Sequence, residues 1–403
     1  MKADAAAYSL RPPRSLETQK PVTMRAALIA TMAALAMAGC TPLTRIPYTR
    51  AAHIDAQVPG VPHARVWGDD ASRWQALFDA RQAARPLTVL ALSGGGAEGA
   101  YGAGFLKGWS ETGARPEFSV VTGTSVGALI APFAFLGPTY DHTLETIFTN
   151  GEMENLLRID GLNGIIGSGV FKSAPLKTLI ARYADDAMLD AIAAEHRKGR
   201  RLFIVTTNAD AQRTVIWNMG GVAASGHPGR LELFHTILAA SSAIPGLFAP
   251  VMIDVEANGQ LFAEMHVDGG VTTNVLAVPE ALLLSKLPAR GAKKPQLYVI
   301  VNGKLAPDFD YVSDTTLSVV ARSFWTTVKA NTRNTLIATY EFARRNAWEF
   351  RATAIDAHRE IATTSINFDT EYVRGLFAYG LERGRSGAAW QRVVPSVQAA
   401  NSP

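Results

Sequence analysis

The sequence predicts an α/β fold built on a parallel sheet, and three observations predict it. Strand–turn–helix patterns occur twice within about fifty residues, at 87–113 and 118–137, and such repetition is the mark of a parallel α/β sheet. RLFIVTTNAD (201–210) and QLYVIVNG (296–303) are two further apolar runs with the character of buried strands. Finally, a chain of 403 residues that is 48% hydrophobic and 18% charged has the composition of a globular protein with a sizeable core.

The elements follow in order. LTVLAL (87–92) is a continuous apolar strand, SGGGAEG (93–99) a turn, and AYGAGFLKGWSETG (100–113) a helix ended by Gly113. FSVVTG (118–123) is the second strand and SVGALIAPFAFLG (125–137) the second helix. Residues 138–200 have mixed helical character and read as a cap over one end of the sheet. The stretch 231–251 is a helix stopped by Pro245 and followed by a loop, and 262–268 is a strand-like run that ends at Asp268. Helical spacing returns from Thr315 to Trp348, with apolar residues at Leu317, Val320, Phe324, Trp325, Val328, Ile337 and Tyr340. No repeat of 20–50 residues is present. The expected organisation is a signal peptide at 1–39, a tether with a short helix at 40–85 and the main α/β domain at 86–305. A helical extension packed on that α/β domain covers 306–375, and 376–403 reads as a tail.

Charge argues against nucleic acid. The net charge is +4, but residues 1–39 hold five cations and two acids, so +3 of it sits there and no basic stripe remains to neutralise phosphates. The single cysteine excludes internal disulfides and multi-cysteine metal sites. Cys40 follows Arg25, an apolar segment from Ala26 to Met37, and Ala38-Gly39, which is the layout of a cleaved signal. The segment is short and Ala-rich for a transmembrane helix. Ala-Gly-Cys resembles a bacterial lipobox, with Met37 in place of the commoner Leu. That resemblance implies an acylated Cys40, attachment to a membrane surface and a place in the cell envelope. Thr41 is not the aspartate that retains such proteins at the inner membrane, so the outer membrane is expected. Met24 is a candidate true start.

Three motifs carry the chemistry. Gly123-Thr124-Ser125-Val126-Gly127 lies between strand and helix, where a serine is exposed on a sharp turn that its glycines allow to close. A Ser N-cap flanked by turn glycines would use the same residues for structure alone. Gly94, Gly95 and Gly96 follow the first strand and can turn backbone N–H groups toward one point, a site for a phosphate or an acyl-transfer oxyanion. No Lys-Ser/Thr of a phosphate loop follows them. Both turns leave the sheet at the C-terminal edge of their strands, where ligands bind. Asp268 with Gly269-Gly270 can reach a serine hydroxyl directly as a base, although Asp-Gly-Gly also suits a plain β-turn. None of the eight histidines lies in a pattern that announces a base.

Together, and in this order, these motifs resemble those of the patatin-like phospholipase family over roughly residues 87–305. ADAQRTVIWNMG (209–220) and AASSAIPGLFAPV (239–251) add to the likeness. The resemblance implies a three-layer α/β/α sandwich around a mainly parallel sheet, and a lipid acyl hydrolase acting on lipid or other ester substrates. It implies Ser125 as nucleophile, Asp268 as base, and Gly94, Gly95 and Gly96 as oxyanion donors. Gly99, Gly123, Gly127, Gly269 and Gly270 are the motif glycines. No metal or cofactor is implied, and oligomeric state stays open. The sequence departs from many members at Glu98, where they carry Arg or Lys, so slow turnover of strongly anionic lipids is expected. Two other readings are a Ser–Asp–His hydrolase using His358 and a lipoprotein scaffold without turnover.

Overall fold

The computed structural model describes residues 45–76, 87–157, 169–287, 293–361 and 366–395. In chain order the strands are β1 (Arg65–Trp67), β2 (Thr88–Leu92), β3 (Val120–Thr124), β4 (Gly169–Phe171), β5 (Arg201–Asn208) and β6 (Arg213–Asn218). They continue with β7 (Gly246–Phe248), β8 (Val251–Ala257), β9 (Gln260–Asp268), β10 (Gln296–Lys304) and β11 (Glu349–Ile355). The main sheet runs β1-β6-β5-β3-β2-β10-β11, with β9 paired to β5 and β8 to β9. Its centre, β5-β3-β2-β10-β11, is parallel throughout. The antiparallel members β1, β6, β8 and β9 gather at the β5 side.

Strand periodicity creates two cores. Successive side chains leave a strand on opposite faces, so Leu90 and Leu92 of β2 join Val121 and Ile300 on one face. Val89 and Ala91 join Phe203 and Val299 on the other. Helices α1 (Gly99–Glu111), α2 (Val126–Leu136) and α3 (Arg230–Ser241) cover the first face. Helix α4 (Thr316–Arg345) covers the second through Leu336, Phe342 and Ala343. The sheet is thus the middle of three layers, each fully buried large apolar side chain contributing about 1.5–3 kcal/mol.

Two expected boundaries move. Helix α5 (Thr370–Ser386) extends well into the expected tail and buries Leu376 and Phe377 against the first core. It meets α1 backbone to backbone. A Cβ added at Gly104 or Gly108 would lie 2.0 or 2.1 Å from the carbonyl oxygens of Phe377 and Leu381. One added at Gly380 or Gly384 would lie 2.1 or 2.3 Å from those of Tyr101 and Phe105. Residues four apart share a helix face, so each helix offers a two-glycine strip to the other. Those glycines lower helix propensity, and the contact with α1 offsets that loss.

The expected tether likewise belongs to the body from Arg45 onward. β1 extends the sheet, Tyr48 stacks on Phe262 at 4.3 Å, and Arg45 pairs with Asp210. The helix expected near 71–84 is described over Ala71–Ala76. The signal segment and Cys40 lie outside the described residues. No helix among those described is long and apolar enough to cross a membrane.

Candidate active site

Ser125 sits between the end of β3 and the start of α2 with φ 55° and ψ −125°. A side chain rarely adopts that conformation, and holding it costs about 1–3 kcal/mol. The surroundings enforce it. A Cβ at Gly123 would lie 2.3 Å from the Gly127 oxygen, and one at Gly127 2.4 Å from the Leu92 oxygen. The Ser125 N–H donates to Ser241 Oγ at 3.0 Å, and that hydroxyl donates to the Val205 carbonyl at 2.7 Å. Ser241, the last residue of α3, therefore pins the turn to β5.

The glycine turn lies alongside, because β2 and β3 are neighbours with Leu92 opposite Gly123. Ser93 Oγ donates to the Gly94 oxygen at 2.7 Å and accepts from Asn302 N–H at 2.8 Å. Asn302 Nδ2 donates to the Ser93 oxygen at 2.7 Å. Gly94 comes so close that its Cβ would lie 3.1 Å from that of Ser125. Its own N–H, however, donates to the Asn274 carbonyl at 3.0 Å. Gly94 thus sets the turn and leaves the expected trio of donors. The N–H groups of Gly95 and Gly96 meet no acceptor among the described residues. A Cβ at Gly99 would lie 2.2 Å from Val126 Cγ2, so the starts of α1 and α2 touch as well.

Asp268 arrives from an antiparallel strand. β9 pairs with the far end of β5, Asp268 opposite Thr206, which brings the carboxyl to the edge where Ser125 stands. Gly269 packs on β5, its added Cβ 2.6 Å from the Val205 oxygen, and Gly270 N–H donates to Asp268 Oδ1 at 2.7 Å. Burial pushes the carboxyl up to about 7, against the lowering effect of the Ser125 hydroxyl and the Gly270 N–H. Oδ2 has no hydrogen-bond partner among the described residues, so Ser125 faces the carboxyl without closing a bond of ordinary length. Such bonds commonly tighten only when substrate binds.

The folded state holds Asp268 protonated more tightly than the unfolded chain does. Its contribution to stability is therefore complete below the ordinary carboxylate range and disappears as pH rises through about 7. A rise to about 7 is worth at most ~4 kcal/mol of differential interaction. Asp268→Asn is expected to gain thermal stability relative to wild type as pH goes from 5 to 8, measured by calorimetry. A difference in melting temperature that does not change with pH would show the carboxyl to be ordinary. A base must be ionised, so kcat/KM should fall on the acid side with an apparent pKa near 7.

His266 and His53 are engaged elsewhere. His266 Nδ1 lies 2.9 Å from Thr206 Oγ1, whose oxygen accepts from Trp217 Nε1 at 2.8 Å. Thr206 therefore donates to Nδ1, and Nε2–H points to Glu264 at 3.3 Å. Burial lowers the His266 pKa, consistent with this neutral ring. Burial also works to raise the Glu264 pKa, but His266, His53 and Arg65 outweigh it and hold it well below the usual range. That cluster fastens the 45–67 segment to the strand that carries Asp268. His358 is exposed in the turn after β11, and β11 is three strands from β3 on the side away from Asp268. Three inter-strand steps are about 14 Å, so no Ser–Asp–His triad forms. Among the described residues no group of three or more His, Cys, Asp or Glu is placed to hold a metal.

Ser241, Asn274 and Asn302 are the site residues that sequence reasoning missed. Ser241 lies within 239–251, a stretch singled out for its likeness, but the role of each depends on a partner distant in sequence.

Residues 90–281 match the family model described as Patatin-like phospholipase. No curated protein matches the chain. Among solved structures, VipD from Legionella pneumophila is 11% identical with a TM-score of 0.27, over 76% of this chain and 67% of that one. The type III effector protein ExoU is 12% identical with a TM-score of 0.26, over 74% of this chain and 53% of its own length. The chain thus spans about half of the latter.

Proposed function

With residues 90–281 forming a patatin-like phospholipase domain, we propose that the protein is a serine hydrolase that cleaves acyl esters through a Ser125–Asp268 dyad. The observation that carries this reading is the strained Ser125 facing a buried carboxyl whose proton affinity is raised toward neutrality. Asp268 takes the Ser125 Oγ proton as Oγ attacks the ester carbonyl. The N–H groups of Gly95 and Gly96 receive the developing oxyanion. Collapse expels the alcohol, which leaves with the proton from Asp268, and an acyl-serine remains. Water then gives a proton to Asp268 as it attacks the acyl carbon. The second collapse releases the fatty acid and returns the proton to Ser125.

The test is a panel of p-nitrophenyl esters and phospholipids incubated with the full chain, together with a fluorophosphonate probe. Hydrolysis and a covalent adduct mapped to Ser125 support the reading. Absence of both turnover and labelling sinks it and leaves the scaffold alternative.

Localisation is part of the same proposal. The Ala-Gly-Cys site after an apolar segment supports an acylated Cys40 and an envelope lipoprotein, with the outer membrane as its place. Labelled palmitate is expected to enter the wild type and not Cys40→Ala. Label retained in the variant would place any acyl group elsewhere.

A further inference from the structure

A cavity of about 390 Å³ opens against the glycine turn, with Gly94 and Gly95 in one wall. Its other wall comes from the end of β10 and from α4, both beyond residue 281, so it is not part of the segment that matches the family model. We propose that this cavity is a headgroup site for a phosphate-bearing anionic lipid, with Arg333 as a specificity-determining residue. The proposal rests on the hydrolase reading above and names the substrate class for that site.

The walls of the cavity carry a surplus of positive charge. Lys304, Arg322, Lys329 and Arg333 line the cavity with two carboxylates, Glu98 and Asp308. Two positive charges are left in excess. Asp308 is already committed, with Oδ1 2.6 Å from Lys304 Nζ and Oδ2 2.6 Å from Lys329 Nζ. Its backbone oxygen accepts from Arg322 at 2.6 Å. Burial works to raise the Asp308 pKa, but the two ammonium groups outweigh it and keep the carboxylate ionised. Glu98 is 1% exposed and accepts from the Tyr372 hydroxyl at 3.4 Å. Arg333 has no hydrogen-bond or ion-pair partner among the described residues. Arg322, Lys329 and Arg333 are seven and four residues apart, hence on one face of α4. A guanidinium on that face, half-buried and uncommitted, is suited to fork onto phosphate oxygens.

Position agrees with the chemistry. Gly94 lines the cavity, and a Cβ added to it would lie 3.1 Å from that of Ser125. In a glycerophospholipid the phosphate is carried on the glycerol carbon next to the one bearing the sn-2 ester. A phosphate in the cavity therefore leaves an ester beside the nucleophile. The expectation of slow turnover of anionic lipids rested on Glu98 alone, and the cations of β10 and α4 reverse that balance. A choline group, by contrast, would meet like charge.

The experiment compares kcat/KM for phosphatidylglycerol and phosphatidylcholine in mixed micelles, with p-nitrophenyl butyrate as an ester lacking a headgroup. The wild type is expected to favour phosphatidylglycerol, and Arg333→Glu to lower that preference by about tenfold or more. Arg333→Gln should fall between them. Thermal stabilisation by sn-glycerol 3-phosphate, present in the wild type and lost in Arg333→Glu, provides a readout that needs no turnover. If the butyrate ester is cleaved but the lipid ratio is the same in all three proteins, the headgroup site is wrong and the hydrolase reading stands. If the wild type cleaves nothing, the hydrolase reading fails and with it the headgroup site. Stabilisation by glycerol 3-phosphate would then mark an anion site of another purpose. Inorganic phosphate stabilising equally well, with an unmoved lipid ratio, would make the cavity a free-phosphate site and overturn the proposal.

Discussion

Ser125→Ala is expected to lower ester hydrolysis by roughly 10⁴-fold or more, with the protein still folded. Alanine keeps the β-carbon at φ 55°, so the backbone strain and the packing of Gly94 on that atom are unchanged. Only the attacking oxygen is lost. Asp268→Asn should lose activity on the same scale, because the amide still accepts the Gly270 N–H but cannot take a proton. His358→Ala should retain most activity, since its ring is exposed beyond an edge strand. Initial rates on p-nitrophenyl esters and near-ultraviolet circular dichroism measure both halves of the claim. Activity surviving in a folded Ser125→Ala protein would put the nucleophile elsewhere, and loss in His358→Ala would restore the triad.

The second large effect is expected far from any reacting atom. Gly380→Val should reduce the unfolding free energy by about 3 kcal/mol or more, at the upper end of what overpacking costs. Even one added carbon at this position would lie 2.1 Å from the Tyr101 oxygen, which is backbone and cannot rotate away. The helices must separate, and the buried contacts of Leu376 and Phe377 go with them. α1 starts at Gly99, immediately after the glycine turn, so its displacement should also lower kcat. Urea unfolding of the full chain, followed by fluorescence, gives the number. A change under 1 kcal/mol would mean that α5 does not hold α1 in solution. Substitution at Gly375, where an added Cβ meets nothing within 4 Å among the described residues, is the internal control.

The parts of this architecture that were legible share one property: their cause is local. Glycines at 123 and 127 are required by a turn of five residues, and the apolar runs at 87–92 and 201–208 declare a buried sheet without outside help. Asp268 was found because a strand ended at it. The parts that were missed depend on distant partners. β6, β8 and β11 are strands by virtue of the neighbours they pair with. Asn302 and Asn274 are single polar residues whose meaning appears only when β10 and the loop after β9 meet the glycine turn. Gly94 looked like a donor because its sequence context does not say where its N–H points. In α5, Gly380 and Gly384 lie in a segment that reads as tail, while in space they are the contact surface.

The conformation of Ser125 has a bearing on how this protein could be improved by selection. Glycine occupies positive φ without penalty, so Ser125→Gly should relieve the strain and yield a more stable molecule that does nothing. Asp268→Asn would be favoured for a parallel reason at alkaline pH. A library screened for heat tolerance alone would therefore collect inactive winners at these two positions, and the more stringent the heating, the purer that collection. Thermostable variants worth keeping would emerge only from a screen that demands turnover after the heat step. Their gains would lie in the α1–α5 contact and the two cores, where firmness and catalysis do not compete.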